Sequence, residues 1–326
     1  MHLCLVMSLL LVLSAEAAVS HRHVGQRERE EDGAFSPRNK YHLDGDDHDD
    51  QFDHEAILGS HKEAEEFDDL EPEEAKERLG QLLLKMDKDG DKKISRDELK
   101  KWILRSFKML SEEESAERWD EVNEDGDDHI TWKEYVAETY GAKDDEDDDD
   151  VLSAADKAEE DKLMSEDRNL FKAADRNGDG VLQRSEFLSF SHPEEDPAMI
   201  PVVVDHTLEE KDKDKDGFIN FQEFVGDQAK DKDQAWLDSE KDKFDNDYDK
   251  DRDGRLNRDE ILGWVLPSNN EIADDEVDHL FSSADDDMDE QLSFEEVLDH
   301  HDVFVGSEAT DYGEHLTNLH RFDDEL

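Results

Sequence analysis

Cysteine is nearly absent: Cys4 is the single one in a chain of 326 residues. Beyond that position there is no material for disulfides, zinc–thiolate sites or a cysteine nucleophile. Positive charge is scarce as well. Against 97 Asp and Glu stand 38 Lys and Arg, giving a formal net charge of −59. Such a field repels DNA, RNA and anionic lipid and attracts cations and basic proteins, so no direct contact with nucleic acid is expected. Long apolar runs are also missing. The one short run, residues 3–13, is followed by Ala15, Glu16 and Ala17. A short apolar stretch before an A-x-A site reads as a cleaved secretory signal over residues 1–17, and no other segment reaches membrane-spanning length. At 34% hydrophobic and 41% charged residues, one large core is not expected; several small helical modules are. There is no N-x-S/T sequon and no H-E-x-x-H, G-x-S-x-G or G-x-x-x-x-G-K-[ST] motif, so neither N-glycosylation nor enzymatic activity is expected.

What the chain has in abundance is regularly spaced oxygen. In "DRNGDGVLQRSE" (175–186), Asp175, Asn177 and Asp179 alternate, Gly180 follows, and Glu186 closes the segment. Asp and Asn at such spacing suit neither a strand nor a helix interior, but they suit a twelve-residue loop around a hard cation. Two more segments match fully: "DKDKDGFINFQE" (212–223) and "DKDRDGRLNRDE" (249–260). Three match imperfectly: "DKDGDKKISRDE" (87–98), "NEDGDDHITWKE" (123–134) and "DDDMDEQLSFEE" (285–296). The starts are separated by 36, 52, 37, 37 and 36 residues. A period near 37 with one longer gap implies paired helix–loop–helix units, and the spacing predicts pairs one-two, three-four and five-six.

In such a loop, positions 1, 3 and 5 offer side-chain oxygens, position 7 a backbone carbonyl, and position 12 a bidentate Glu. The expected ligands of loop one are therefore Asp87, Asp89, Asp91, Lys93 and Glu98. Loop two offers Asn123, Asp125, Asp127, His129 and Glu134. Loop three offers Asp175, Asn177, Asp179, Val181 and Glu186, and loop four Asp212, Asp214, Asp216, Phe218 and Glu223. Loop five offers Asp249, Asp251, Asp253, Arg255 and Glu260, and loop six Asp285, Asp287, Asp289, Gln291 and Glu296. Oxygen shells with a bidentate Glu favour Ca²⁺ over Mg²⁺, which wants a tighter octahedron and keeps its waters. Position 6 turns the chain sharply, and Gly180, Gly217 and Gly254 supply that turn in loops three to five. Loops one, two and six place Lys92, Asp128 and Glu290 there. A side chain in a left-handed turn costs about 1 kcal/mol, so three complete Ca²⁺ sites and up to six in all are expected. Without the ion the clustered carboxylates repel one another, and Ca²⁺ is expected to compact the chain.

Position 8 is apolar in every loop: Ile94, Ile130, Leu182, Ile219, Leu256 and Leu292. The flanks carry helical stripes, Leu99, Trp102, Ile103 and Phe107 after loop one and Val277, Leu280, Phe281 and Ala284 before loop six, which read as core. Together with "DHEAILG", "HPEE", "WVLPSN" and "FVGSEATDYGE", these loops resemble the reticulocalbin/calumenin family of secretory-pathway EF-hand proteins. The stretch "FDNDYDKDRDGRLNRDEIL" is similar to its reticulocalbin-2 branch. The resemblance implies a short β-contact between position-8 residues, low-affinity Ca²⁺ binding in the lumen, Ca²⁺-dependent contact with client or regulatory proteins, and no catalysis.

The expected architecture is all-α: a disordered acidic arm over 18–66, EF-hand pairs over 71–141, 161–230 and 234–300, an acidic linker over 142–160, and a tail over 301–326. Histidines in the arm, His21 and His23 among them, read as a solvated polar tail rather than a metal site. The last four residues, "DDEL", resemble a KDEL/HDEL retrieval signal, with Asp323 in place of Lys or His. The endoplasmic reticulum lumen is the expected address, with Golgi or secretion following if retrieval is weak, and a monomer is expected. The leading function is buffering Ca²⁺ or gating client contacts with Ca²⁺ load. The alternative is an acidic chaperone-like or nuclear accessory protein with structural Ca²⁺, such as the topoisomerase-associated DNA supercoiling factors to which relatives have been assigned.

Overall fold

The computed structural model describes residues 34–38, 50–141, 154–230 and 232–306. The signal segment, the 142–153 part of the linker and the retrieval-like terminus lie outside the described residues. The rest reads as helices separated by six turns. Helices α1 (Asp50–Leu58) and α2 (His61–Asp68) come first. Loop one lies between α3 (Pro72–Met86) and α4 (Arg96–Val122), and loop two between α4 and α5 (Trp132–Tyr140). Loop three separates α6 (Ala154–Ala174) from α7 (Arg184–Ser191), and loop four separates α8 (Ile200–Lys211) from α9 (Phe221–Val225). Loop five follows α10 (Gln234–Lys243) and a π turn, and leads into α11 (Arg258–Val265). Loop six joins α12 (Asn269–Ala284) to α13 (Phe294–Asp299), and α14 (His301–Val305) closes the described chain.

Each loop ends in a two- or three-residue strand, and the position-8 residues pair: Ile94 with Leu292, Ile130 with Leu182, and Ile219 with Leu256. The strands are β1 (Lys93–Ser95), β2 (Ile130–Thr131), β3 (Val181–Leu182), β4 (Ile219–Asn220), β5 (Arg255–Leu256) and β6 (Gln291–Ser293). This register corrects the expected partners. Loop one pairs with loop six, two with three, and four with five. The physical reason is α4: at 27 residues it is both the exit of loop one and the entry of loop two. At 1.5 Å per residue it spans about 40 Å, which holds loops one and two at opposite ends and leaves each to find another partner.

Two cores follow from this cyclic order. The first gathers α1–α3, the first half of α4 and α12–α14 around Leu79, Ile103, Phe107, Leu280 and Phe304. The second gathers the end of α4 and α5–α11 around Trp119, Tyr135, Phe187, Phe224 and Trp264. Its aromatic rings meet edge to face, as Trp119 and Phe187 do at 5.6 Å and 83°, a geometry that adds to plain area burial.

The arm is not disordered throughout. Phe52, Ala56, Ile57, Ala64 and Phe67 are buried in the first core. The carbonyl of Ile57 accepts a 2.7 Å hydrogen bond from Trp102 Nε1. Gly59 (φ 70°) turns α1 into α2 so close to α4 that an added Cβ would lie 3.1 Å from Ser106 Cα. Further upstream, Phe35 is buried and its amide donates to the Val265 carbonyl. These helices are short and rich in Asp, Glu and His, so few apolar residues mark them. Two other boundaries move. Helix α6 begins at Ala154, inside the expected linker, and α14 carries Phe304 and Val305 into the first core where a tail was expected.

A polar seam crosses the middle of α4, between the cores. Glu114 accepts from Arg38 Nη1 at 2.7 Å, His192 Nε2 at 2.8 Å and His61 Nε2 at 3.2 Å. Burial opposes ionisation of Glu114, but the hydrogen bonds from His192 and His61 and the charge of Arg38 overcome it, holding the carboxyl well below the usual carboxylate range. His61, bonded to Glu114 and then Glu55, is pushed up to about 10.

Candidate metal centres

The six loops share one local device. The residue at position 9 caps the exiting helix, and the Glu at position 12 is that helix's third residue. Capping boxes of this kind form at Ser95, Thr131, Asn220, Asn257 and Ser293; at Gln183 only the Glu186 half is present, accepting the Gln183 amide at 3.0 Å. In loop four, Glu223 Oε2 accepts the Asn220 amide at 3.0 Å while Oε1 accepts the Lys213 amide at 2.9 Å. One carboxylate thus starts the helix and folds back over the loop. Glu98, Glu186 and Glu260 do the same, with Lys88, Arg176 and Asp251 amides on their inner oxygens.

At the other end, the position-1 carboxylate ties down position 6. Asp175, Asp212 and Asp249 accept the amides of Gly180, Gly217 and Gly254 at 2.8 to 2.9 Å. Asp87 and Asp285 hold Lys92 and Glu290 in the same way, both at 3.0 Å. Lys92 and Glu290 therefore do take up the left-handed turn, at φ 66° and 62°. Oxygens of positions 1, 3 and 12 come within 4.8 Å of one another in loops one, four and five: Asp87, Asp89 and Glu98; Asp212, Asp214 and Glu223; Asp249, Asp251 and Glu260. A donor set of oxygens alone, converging on one point, is what a hard divalent ion requires. The crowding is felt as charge. Desolvation, and then the carboxylates of Asp216, Glu223 and Asp212, raise the pKa of Asp214; Asp251 is raised likewise, by desolvation and by Asp253, Glu260 and Asp249.

The loops divide by how deeply the closing Glu is set. Glu186, Glu223 and Glu260 are buried, whereas Glu98, Glu134 and Glu296 are half-buried. This division matches the one made by glycine at position 6. Loop two departs further. Asn123 turns its amide inward, donating to the Asp127 carbonyl at 2.8 Å, and its Oδ1 accepts from Gly126. Asp127, Asp128 and His129 offer ligand atoms within 4.8 Å of one another there.

Outside the loops, Glu166 on α6 meets His206 and Glu210 on α8, with candidate ligand atoms within 4.8 Å of one another. The i, i+4 spacing of His206 and Glu210 was legible in the sequence; the approach of Glu166 was not. The Lys162 ammonium stands 2.7 Å from Glu210 and 3.7 Å from Glu166, so one of the two carboxylate charges is already offset by a cation. Among the described residues no helix is long and apolar enough to cross a membrane.

Known proteins share this pattern. Residues 164–227, spanning loops three and four, match the family of EF-hand domain pairs. Reticulocalbin-2 of Crotalus adamanteus is 39% identical over 284 residues, which is 86% of this chain and 93% of that protein. Reticulocalbin-2 of Rattus norvegicus is 37% identical over 325 residues, 98% of each chain. Reticulocalbin-3 of Homo sapiens is 35% identical over 278 residues, 83% of each.

Proposed function

From the premise that this chain belongs to the reticulocalbin family, and is thereby a calcium-binding EF-hand protein, we propose that it works in the lumen of the endoplasmic reticulum as a weak, load-dependent Ca²⁺ binder. It buffers the ion and changes its contacts with client proteins as the load changes. Loops three, four and five are the principal sites, loops one and six are weaker, and loop two is weakest.

The observation that carries this is the convergence of position-1, -3 and -12 oxygens in loops four and five, where a buried Glu223 or Glu260 lies with a left-handed glycine at position 6. Bound Ca²⁺ supplies two positive charges where three or four carboxylates crowd. The chain's own part is to hold those oxygens. Asp212 and Asp249 are anchored by the position-6 amide, and Glu223 and Glu260 by the helix cap and by the amides at positions 2 and 3. For the Glu to face an ion, its inner oxygen leaves those amides, so part of the binding free energy is spent on exchanging hydrogen bonds. That exchange weakens binding and favours affinities near 10⁻⁴ to 10⁻³ M, the range of extracellular modules. The terminal "DDEL" and the apolar start of the chain support the luminal address.

The test is a far-UV circular dichroism titration of the mature chain with Ca²⁺ at physiological salt. A gain of helix with a midpoint between about 0.1 and 1 mM supports the proposal. A spectrum unchanged from chelator to millimolar Ca²⁺ refutes load-dependent behaviour and turns the reading toward an acidic adaptor.

A further inference from the structure

Position 7 contributes only its carbonyl to a metal site, which leaves its side chain free for another task. In each joined pair one position-7 side chain is basic and the other neutral: Lys93 with Gln291, His129 with Val181, and Arg255 with Phe218. Two of the basic ones cross to the partner loop, and both reach its position-5 carboxylate. The Lys93 ammonium forms an ion pair with Asp289 Oδ2 of loop six. The Arg255 guanidinium lies on the Phe218 ring at 3.8 Å, with Nη1 3.8 Å from Asp216 Oδ2 of loop four.

The geometry at loop six is the clearer. Asp289 Oδ1 accepts the Gln291 amide at 2.9 Å, so the crossing ammonium takes the oxygen that remains. Asp287 and Glu296, the other expected ligands on that side, also act on Lys93, and the ion pair with Asp289 raises the lysine pKa. Arg255 divides itself, with Nε 3.2 Å from Asp253 of its own loop.

We propose that Lys93 and Arg255 are tethered counter-cations that set the Ca²⁺ affinity of the partner loops six and four. The inference rests on those loops being Ca²⁺ sites. With no ion present, the side chain relieves repulsion among the carboxylates. When a divalent ion enters, the same charge is expelled from Asp289 or Asp216, or repels the ion from close range. Both effects lower the affinity. Because the Lys93 carbonyl belongs to loop one and its ammonium to loop six, one residue also ties the two sites together across the chain's first and last EF-hands.

The experiment is a calorimetric Ca²⁺ titration of the full mature chain and of Lys93→Met, Lys93→Gln and Lys93→Arg, with the metal-free melting temperature of each. The loop-six site is assigned by adding Glu296→Gln. The Met and Gln variants are expected to bind Ca²⁺ at loop six about fivefold more tightly and to melt lower without metal, while Lys93→Arg stays within about twofold of the parent. Two neutral variants guard against one that fails to fold. Equal tightening in Lys93→Arg, or no change in either neutral variant while Glu296→Gln still removes an ion, overturns the inference and leaves the loop-six site standing. If Glu296→Gln removes no ion even from Lys93→Met, loop six is not a site and both fall. Arg255→Met with Glu223→Gln repeats the comparison at loop four.

Discussion

Loops four and five and loops one and six are the same object made under different constraints. Both pairs have the strand bridge at position 8, the capping Glu and the position-1 anchor. Loops four and five lie 37 residues apart, turn on Gly217 and Gly254, and bury Glu223 and Glu260. Loops one and six come from the two ends of the described chain, force Lys92 and Glu290 through the same turn, and leave Glu98 and Glu296 half-buried. The first pair keeps the glycine turn and the buried Glu together. The second carries a further duty, since its strand bridge and the surrounding core of α1–α3 and α12–α14 join the beginning of the chain to its end.

The largest effect that would break this comparison comes from cutting the chain. A fragment of residues 71–141 contains loops one and two in full but the partner of neither. We expect it to show random-coil circular dichroism with or without Ca²⁺; a cooperatively folded fragment would restore consecutive pairing. Next come the closing glutamates. Glu223→Gln and Glu260→Gln, which keep the helix cap, should each remove one ion from the calorimetric stoichiometry with the tightest sites. Glu134→Gln in loop two should leave the stoichiometry nearly unchanged.

A smaller effect exchanges the turns. Gly254→Lys adds to loop five, where Arg252 is already left-handed, the turn that Lys92 makes in loop one, and Lys92→Gly relieves loop one. Each should move the affinity of its own loop by about 1 kcal/mol, or about fivefold, in opposite directions. Equilibrium dialysis of both variants measures it, and no shift in either would remove the turn as the reason the pairs differ.

A separate effect, on stability and not on affinity, concerns the seam that holds the two cores together. His61 is charged in the folded chain up to about 10, against about 6.5 when unfolded. Its contribution to stability is therefore complete below about pH 6.5 and is lost as pH rises through about 10. At saturating Ca²⁺ the melting temperature should fall across that window, and His61→Gln should flatten the fall. An unchanged profile in the variant would mean the seam does not bear on stability.

The sequence made the loops readable because each is local: twelve residues supply the turn, the oxygens and the cap, and the apolar position 8 stands out against acidic neighbours. Which loop meets which is not local. A period near 37 points to the nearest neighbour, and only the continuity of α4 through residues 96–122 excludes it. The buried helices α1 and α2 were hidden for a different reason. Phe52 and Ile57 sit among Asp, His and Glu in a stretch that looks like a solvated arm, and they meet α4 about fifty residues away, Ile57 through Trp102 and Ser106 and Phe52 through the Phe107 ring. Loop two was partly readable, since Asn123 in place of Asp signals a weaker first ligand, but the inward turn of its amide is a matter of geometry.

The most direct test of the whole account is a calorimetric Ca²⁺ titration of the mature chain at physiological salt with millimolar Mg²⁺. The account predicts at least three ions bound near 10⁻⁴ M or weaker, three of them abolished by the triple change Glu186→Gln, Glu223→Gln and Glu260→Gln. Micromolar or tighter sites, permanently filled at luminal Ca²⁺, or a stoichiometry that the triple change leaves unaltered, would contradict it.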